Sequence, residues 1–361
     1  MQVRPIVTTK AAVSTRAETG ASSSLGVTTK NSTRLLGLLV ALLGLALLAL
    51  LSIAVGSRHI PLPVVLEAIF AHTPEVDEHF IIGQMRAPRT VAGLAVGSAL
   101  GLAGALIQAL TRNPLADPGI LGVNAGAAFF VAGAIALLGV GTISGQLWFA
   151  FAGALVVTVA VYLIGSAGRG PADPIRLTLA GVALGAVLSG ITTGLVLLDP
   201  ETFDRMRHWN AGSLVGRDYD LLLPVLPFLA IGVVLAMLVA GPLNAIALGE
   251  DLAASLGTNI AATRVAVIAA VTLLAGGATA IAGPIGSIGL MIPHIARWIV
   301  GPVQPWIFAY TAVLAPMLLI ASDVVGRVVL RPGEVPVGIV TAFIGAPVLI
   351  VLIRRRRASG L

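Results

Sequence analysis

Three groups of residues carry functional chemistry in this chain. His72, Glu75, Asp77, Glu78 and His79 stand close together and have the donor types that hold metal ions. A solvated acidic loop explains the same grouping, and the five histidines (His59, His72, His79, His208 and His294) show no paired helical spacing, so no metal is expected. Arg86 and Arg89 of RAPR and Arg327 of DVVGRV form the second group. Guanidinium forks suit bidentate bonds to carboxylates, while snorkelling at helix ends is their ordinary structural use. The third is ALGEDLAASLG (247–257), in which Glu250 and Asp251 open a short amphipathic stretch between Gly249 and Gly257. Carboxylates there suit the positive end of a helix dipole, and an ordinary surface helix is the plain alternative.

The enzymatic classes are poorly served. Both lysines, Lys10 and Lys30, follow a threonine, so no G-x-x-x-x-G-K-[ST] phosphate loop exists and the chain does not hydrolyse ATP by that device. There is no H-E-x-x-H and no G-x-S-x-G turn. The absence of cysteine removes disulfides, thiolate metal sites and thiol nucleophiles. Neither enzymatic activity nor a cofactor is expected.

The elements that must position these groups are apolar. Of 361 residues 57% are hydrophobic and 11% charged, against about a quarter charged in globular domains, so the chain reads as a polytopic membrane protein. Residues 1–34 are polar and Ser/Thr-rich, read as a mobile cytoplasmic tail. Leu35–Val55 matches the roughly 20 residues needed to span and is too long for a signal-peptide core, so it reads as an uncleaved first span. Further apolar runs cover Thr90–Leu110, Ile120–Val140, Leu147–Gly165, Leu177–Leu198, Leu221–Ala240, Val265–Ile281, Ile285–Val300, Trp306–Ala321 and Val335–Ile353. The expected fold is all-α: a bundle of ten transmembrane helices over 35–357, both termini cytoplasmic. That topology puts 14 of the 22 basic residues inside, including Arg354–Arg357, as the positive-inside rule requires. It leaves Arg86, Arg89 and Arg327 outside. The net charge of +6 therefore reads as topology and not as affinity for nucleic acid. Small residues at packing spacing (Gly93, Gly97, Gly101; Gly181, Gly185) predict close helix contacts. Thr111–Ala127, TRNPLADPGILGVNAGA, interrupts two spans with polar residues and prolines, which predicts a turn at the cytoplasmic face.

Several of these stretches also resemble the permease family that imports iron-siderophore complexes, haem and vitamin B12 through ATP-binding-cassette systems. The resemblance rests on RAPRTVAGLAVGSALGLAGALIQALTRNPLADPGILGVNAGA (86–127), RLTLAGVAL (176–184), ALGEDLAASLG (247–257), GPIGSIGLMIPHIARW (283–298) and VPVGIVTAFIGAPVLI (335–350). With RHWNAGSL (207–214) and MIPHIARWIVG (291–301), it is most similar to ferric-enterobactin type permeases. The resemblance implies ten spans and a bacterial inner-membrane location. It implies two ATPase subunits docked on a coupling segment signed by Leu248, Gly249, Glu250, Ala254, Leu256 and Gly257. It implies a siderophore-binding protein docked on Arg86, Arg89 and Arg327. A second permease subunit, a heterodimer before a homodimer, completes a path that implicates Thr178, Ser189, Thr192, Thr193, His208 and Trp209. For the four hydroxyl residues, back-bonding within the helix is an equal expectation.

The function expected is ferric-siderophore translocation into the cytoplasm by alternating access. Vitamin B12 or haem is the alternative cargo. An ion-coupled secondary transporter is the alternative class; it calls for acidic residues at mid-membrane, where only Asp323, near an outer end, comes close.

Overall fold

In lipid a backbone can satisfy its polar groups only within itself, so each long apolar run here has one solution, a helix. A computed structural model describes residues 31–71, 73, 76–167 and 174–358, with backbone alone at 174 and 352–358. Residues 1–30, His72, Glu75 and the side chains of Arg354–Arg357 lie outside the described residues. In chain order the helices are α1 Asn31–Ala54, α2 Leu62–Phe70, α3 Asp77–Phe80, α4 Ala87–Thr111, α5 Val123–Leu138, α6 Ile143–Ser166, α7 Pro174–Leu198 and α8 Pro200–Asn210. They continue as α9 Tyr219–Leu222, α10 Leu226–Ile246, α11 Glu250–Ser255, α12 Ile260–Ala282, α13 Ile288–Val300, α14 Gln304–Val329 and α15 Val337–Ala358. A π-helical segment, Ile81–Arg86, joins α3 to α4 without a break.

Among the described residues seven helices are long and apolar enough to cross a membrane: α1, the continuous α3–α4 rod, α6, α7, α10, α12 and α14. Helices α5, α13 and Val337–Val351 of α15 are apolar but shorter. Each of the ten expected runs overlaps one of them, although the run expected at Leu221–Ala240 begins within α9 and ends six residues before α10 does. Hydropathy did not reveal α2 and α8, which lie in the connections.

The α4 helix sits at the centre, with α14, α12, α13 and α10 packed around it. Its small residues allow this. A Cβ on Gly97 would overlap the Pro316 backbone, and one on Gly104 would overlap the Gly289 carbonyl. Such close backbone contact is how helices associate where lipid removes the hydrophobic incentive. Gln108 then donates to the Gly289 and Leu290 carbonyls at 3.2 and 3.1 Å, tying α4 to α13.

Residues 111–127 form the expected turn. The Asn113 side chain accepts from Leu115 N–H at 2.9 Å, and Asp117 caps the 3-10 turn Pro118–Leu121 by accepting from Gly119 N–H at 2.8 Å. Burial pushes the Asp117 carboxyl above its ordinary 3.8. Thr279 donates to Asn124 Oδ1 at 3.1 Å, joining α5 to α12.

At the start of the chain the expected tail is too long. Helix α1 is already formed at Asn31, where Arg34 is buried, accepts Tyr310 O–H on its carbonyl at 2.7 Å and places its guanidinium 5.9 Å from the Trp306 ring. His79 is likewise buried; its Nδ1 accepts from Thr73 N–H at 3.0 Å, a structural use.

Candidate functional site

The chain's charged side chains collect at two opposite ends of the bundle. At one end α1 terminates, and its last carbonyls lack intrahelical donors while carrying the negative pole of the helix dipole. Two arginines meet them. Arg327 Nη1 donates to Ser52 and Val55 carbonyls at 2.7 and 3.1 Å, and Nη2 to Ser52 Oγ at 3.1 Å. Arg86 Nη1 donates to Ile53 and Ala54 carbonyls at 3.1 and 2.7 Å, and Nη2 to Arg58 O at 2.6 Å. Asp323 neutralises the centre. It accepts from Arg327 Nε at 3.0 Å and from Arg89 Nη2 at 2.7 Å, while Arg89 Nη1 reaches Glu334 at 2.7 Å.

In this geometry the three arginines expected to meet a binding protein spend their donors within the chain. Arg327 is 1% exposed and Arg86 5%. Both are committed to the open end of α1, and Arg89 is held between Asp323 and Glu334 near the rim. Asp323, Glu334 and Ser52 were the missed members. Arg327 lies four positions beyond Asp323 on one helix, a spacing that signals an ion pair in the sequence itself.

At the opposite end α11 follows α10 through Gly249, whose φ of 122° is a glycine conformation, and closes on Gly257 at φ 84°. The boundaries are those expected. Glu250 turns inward: Arg264 Nη2 donates to its Oε1 at 2.6 Å, and Arg112 Nη2 lies 3.5 Å away. That pins α11 to the start of α12 and the end of α4. Ala253 is buried beneath it. Leu248, Leu252 and Leu256, four apart, are left 66%, 49% and 65% exposed, with Ala254 and Gly257 also open. Leu252 and the two arginines were missed, although the four-residue leucine spacing was visible.

The remaining candidates lie on α7 and α8. Thr192 and Thr193 donate back to the Leu188 and Ser189 carbonyls at 2.8 Å each, so the back-bonded expectation holds for both. Thr178 is half-buried and Ser189 exposed. Helix α7 packs on α5 and α6, with Gly181 seated on the Ile120 carbonyl, and leaves most of its length uncovered. His208 and Trp209 belong to α8 and line a cavity of about 560 Å³ at the Arg86 end. Arg205 and Arg217 line it too and were missed; Arg205 shares a helix face with His208 and Trp209 by its i, i+3, i+4 spacing.

Comparison with known proteins places these features. The model of the FecCD transport family matches residues 42–355. The chain is 50% identical over 325 residues to the ferric enterobactin transport system permease protein FepD of Escherichia coli (strain K12), covering 89% of this chain and 97% of the relative. It is 40% identical over 323 residues to the iron(3+)-hydroxamate import system permease protein FhuB of Bacillus subtilis (strain 168), covering 88% and 84%. Among solved structures, an inward-facing conformation of a metal-chelate type ABC transporter superposes with a TM-score of 0.78 at 28% identity, covering 88% of this chain and 98% of that one. With the match running through nearly every helix described above, the chain belongs to the FecCD transport family.

Proposed function

We propose that this chain is the permease subunit of an ATP-binding-cassette importer that moves ferric-siderophore complexes across the bacterial inner membrane into the cytoplasm by alternating access. The ten apolar helices are its ten spans, with both termini cytoplasmic. The Arg86 end then faces outward and α11 inward. Energy comes from two separate ATPase subunits; the permease itself does no covalent chemistry, and iron travels inside its chelator.

The observation that carries the reading is the α11 surface. Three leucines stand exposed on and beside a short helix pinned by Glu250, at the end where a cytoplasmic partner would bind. An exposed apolar row on a held element marks a protein contact. Leu248, Gly249, Glu250, Ala254, Leu256 and Gly257 are thereby the coupling segment: the leucines and Ala254 face the ATPase, and the glycines and Glu250 fix the helix that presents them. The siderophore-binding protein seats on the opposite end. There Arg86, Arg89 and Arg327 act as a frame holding α1, α4 and α14 in register and do not reach out as cations. The uncovered face of α7, with Ser189 and Thr193, supports a second permease subunit lying against it, a heterodimer by analogy with enterobactin-type systems. Thr178 and Thr192 lie along the same helix, while His208 and Trp209 stand at its outer end.

Uptake of labelled ferric siderophore in a strain deleted for this chain, with vitamin B12 and haem as competitors, tests the reading. Loss of uptake that only unlabelled ferric siderophore competes in the parent supports it. Undiminished uptake in a strain lacking other iron systems overturns it. Transport by the reconstituted permease without ATPase subunits would favour a secondary transporter instead.

A further inference from the structure

The cavity beside α8 has a composition that the reading above leaves unused. It is walled by the α5–α6 connection, the start of α6, α8 and residues 213–217, and its charged or polar lining is Arg205, His208, Arg217, Gln146, Ser213 and Glu334. The carboxylate in that lining, Glu334, already accepts from Arg89. The His208 Nδ1–H donates to the Asp204 carbonyl at 2.8 Å, which turns Nε2 away from its own helix. Arg205 pairs with Glu201 at 2.6 Å on the exposed side of α8.

Of the two arginines in that lining, Arg205 is paired and Arg217 is not. Arg217 Nε donates to the Ile281 carbonyl at the end of α12, yet among the described residues Arg217 makes no ion pair. The neighbouring Asp218 faces elsewhere, accepting from Leu221 N–H at 3.0 Å as the cap of α9. Burial pushes the Arg217 guanidinium down to about 10, outweighing the opposing pull of Asp218. A desolvated cation facing a cavity is stabilised when an anion enters, through charge-assisted and often bidentate bonds. Trp209 supplies a flat apolar wall alongside, and the volume falls within the usual range for small-molecule sites.

We propose that this cavity is an outer subsite for the anionic face of a metal chelate, in which Arg217 and Arg205 bind carboxylate or catecholate oxygens and Trp209 packs against the chelator. The inference rests on the chelate-import reading and adds a charge preference to it. Ferric catecholate and carboxylate chelates carry net negative charge, whereas ferric tris-hydroxamates are neutral.

The test uses the complete transporter, with its ATPase subunits and binding protein, in proteoliposomes. The probes are a labelled ferric tris-catecholate and a labelled ferric tris-hydroxamate. Arg217→Gln should raise the half-saturating concentration of the catecholate chelate about 10-fold, the loss of one good charged contact. Arg217→Lys should recover part of it, and Arg205→Gln should give a shift of about 3-fold. The wild-type dependence on ionic strength should weaken in both glutamine variants. If Arg217→Gln does not fold, Arg205→Gln on the surface of α8 decides alone. Unchanged catecholate uptake in the folded variants overturns the subsite and leaves the transport function standing. So does wild-type uptake of the neutral chelate only. Failure of wild-type to take up either chelate overturns both readings.

Discussion

At the Arg86 end the side chains withdrawn from solvent are arginines, whereas at the α11 end the side chains held out to it are leucines. Arg327 is almost fully enclosed, yet each part of its guanidinium fork has a partner in α1 or Asp323. Leu248, Leu252 and Leu256 stand in the open although apolar core was available a turn away, at Ala253. Hydrophobicity alone assigns both sets to the wrong place. What decides is whether a complement exists within the chain. The end of α1 offers carbonyls to buried side chains, and carbonyls left unsatisfied in a buried setting are expensive. The leucines have no such complement among the described residues, and under the proposed function theirs belongs to another subunit. One end is thus closed and structural, and the other is unfinished.

The sharpest way to break this contrast is Arg327→Ala. It strips donors from Ser52 and Val55 and leaves Asp323 buried with Arg89 alone, so the thermal unfolding midpoint in detergent should fall by the equivalent of about 3 kcal/mol. Adding Asp323→Asn should recover part of the loss; an unmoved midpoint would show that the cluster is not structural. Leu252→Ser combined with Leu256→Ser should behave in the opposite manner. Stability should change by no more than about 0.5 kcal/mol, as is usual at exposed sites. Affinity for the cognate ATPase subunits should drop about 10-fold, a loss typical of an interface anchor. Equal affinity in a binding assay would remove α11 from the docking surface.

Two smaller changes probe how firmly the open end is held. Glu250→Gln weakens the bonds from Arg264 and Arg112, and because Glu250 is partly exposed the cost should be about 1 kcal/mol and local. Amide exchange in 249–258 should speed up while the global unfolding midpoint stays put. Asp117→Asn is expected to have the least effect and depends on pH. The native carboxyl is held above 3.8 by burial, so the folded state binds its proton more tightly than the unfolded chain does. Stability from that proton is complete below 3.8 and is lost as pH rises through the raised value. Asparagine keeps an acceptor for Gly119 N–H without the charge. The variant should therefore gain stability over the native chain at neutral pH, and the gain should vanish in acid. A gain that persists in acid would show that desolvation of the carboxylate is not the cause.

Much of this molecule was legible along the chain. Ten apolar runs became ten apolar helices because backbone satisfaction in lipid leaves no alternative. Gly97 marked a true backbone contact and Gly101 a close side-chain one, and the Asn-Pro and Asp-Pro pairs of 111–127 marked a true turn. The site was legible in part. The ends of α11 were readable because Gly249 and Gly257 supply conformations other residues avoid. The orientation of Arg86, Arg89 and Arg327 was not: a positive-inside argument places an arginine on a side of the membrane without saying which carbonyls are open nearby. Arg217 escaped attention for the same reason, since its isolation depends on which carboxylates fold next to it.

By itself, then, the order of residues determined the helices and their breaks, which follow from local composition and spacing, and carried the motifs by which the chain resembles its family. Tertiary structure alone decided which charges are answered from within. Asp323 reaches Arg89 across 234 positions and Arg327 reaches Ser52 across 275, and electrostatic pairing is set by distance in space, which packing fixes and sequence separation does not.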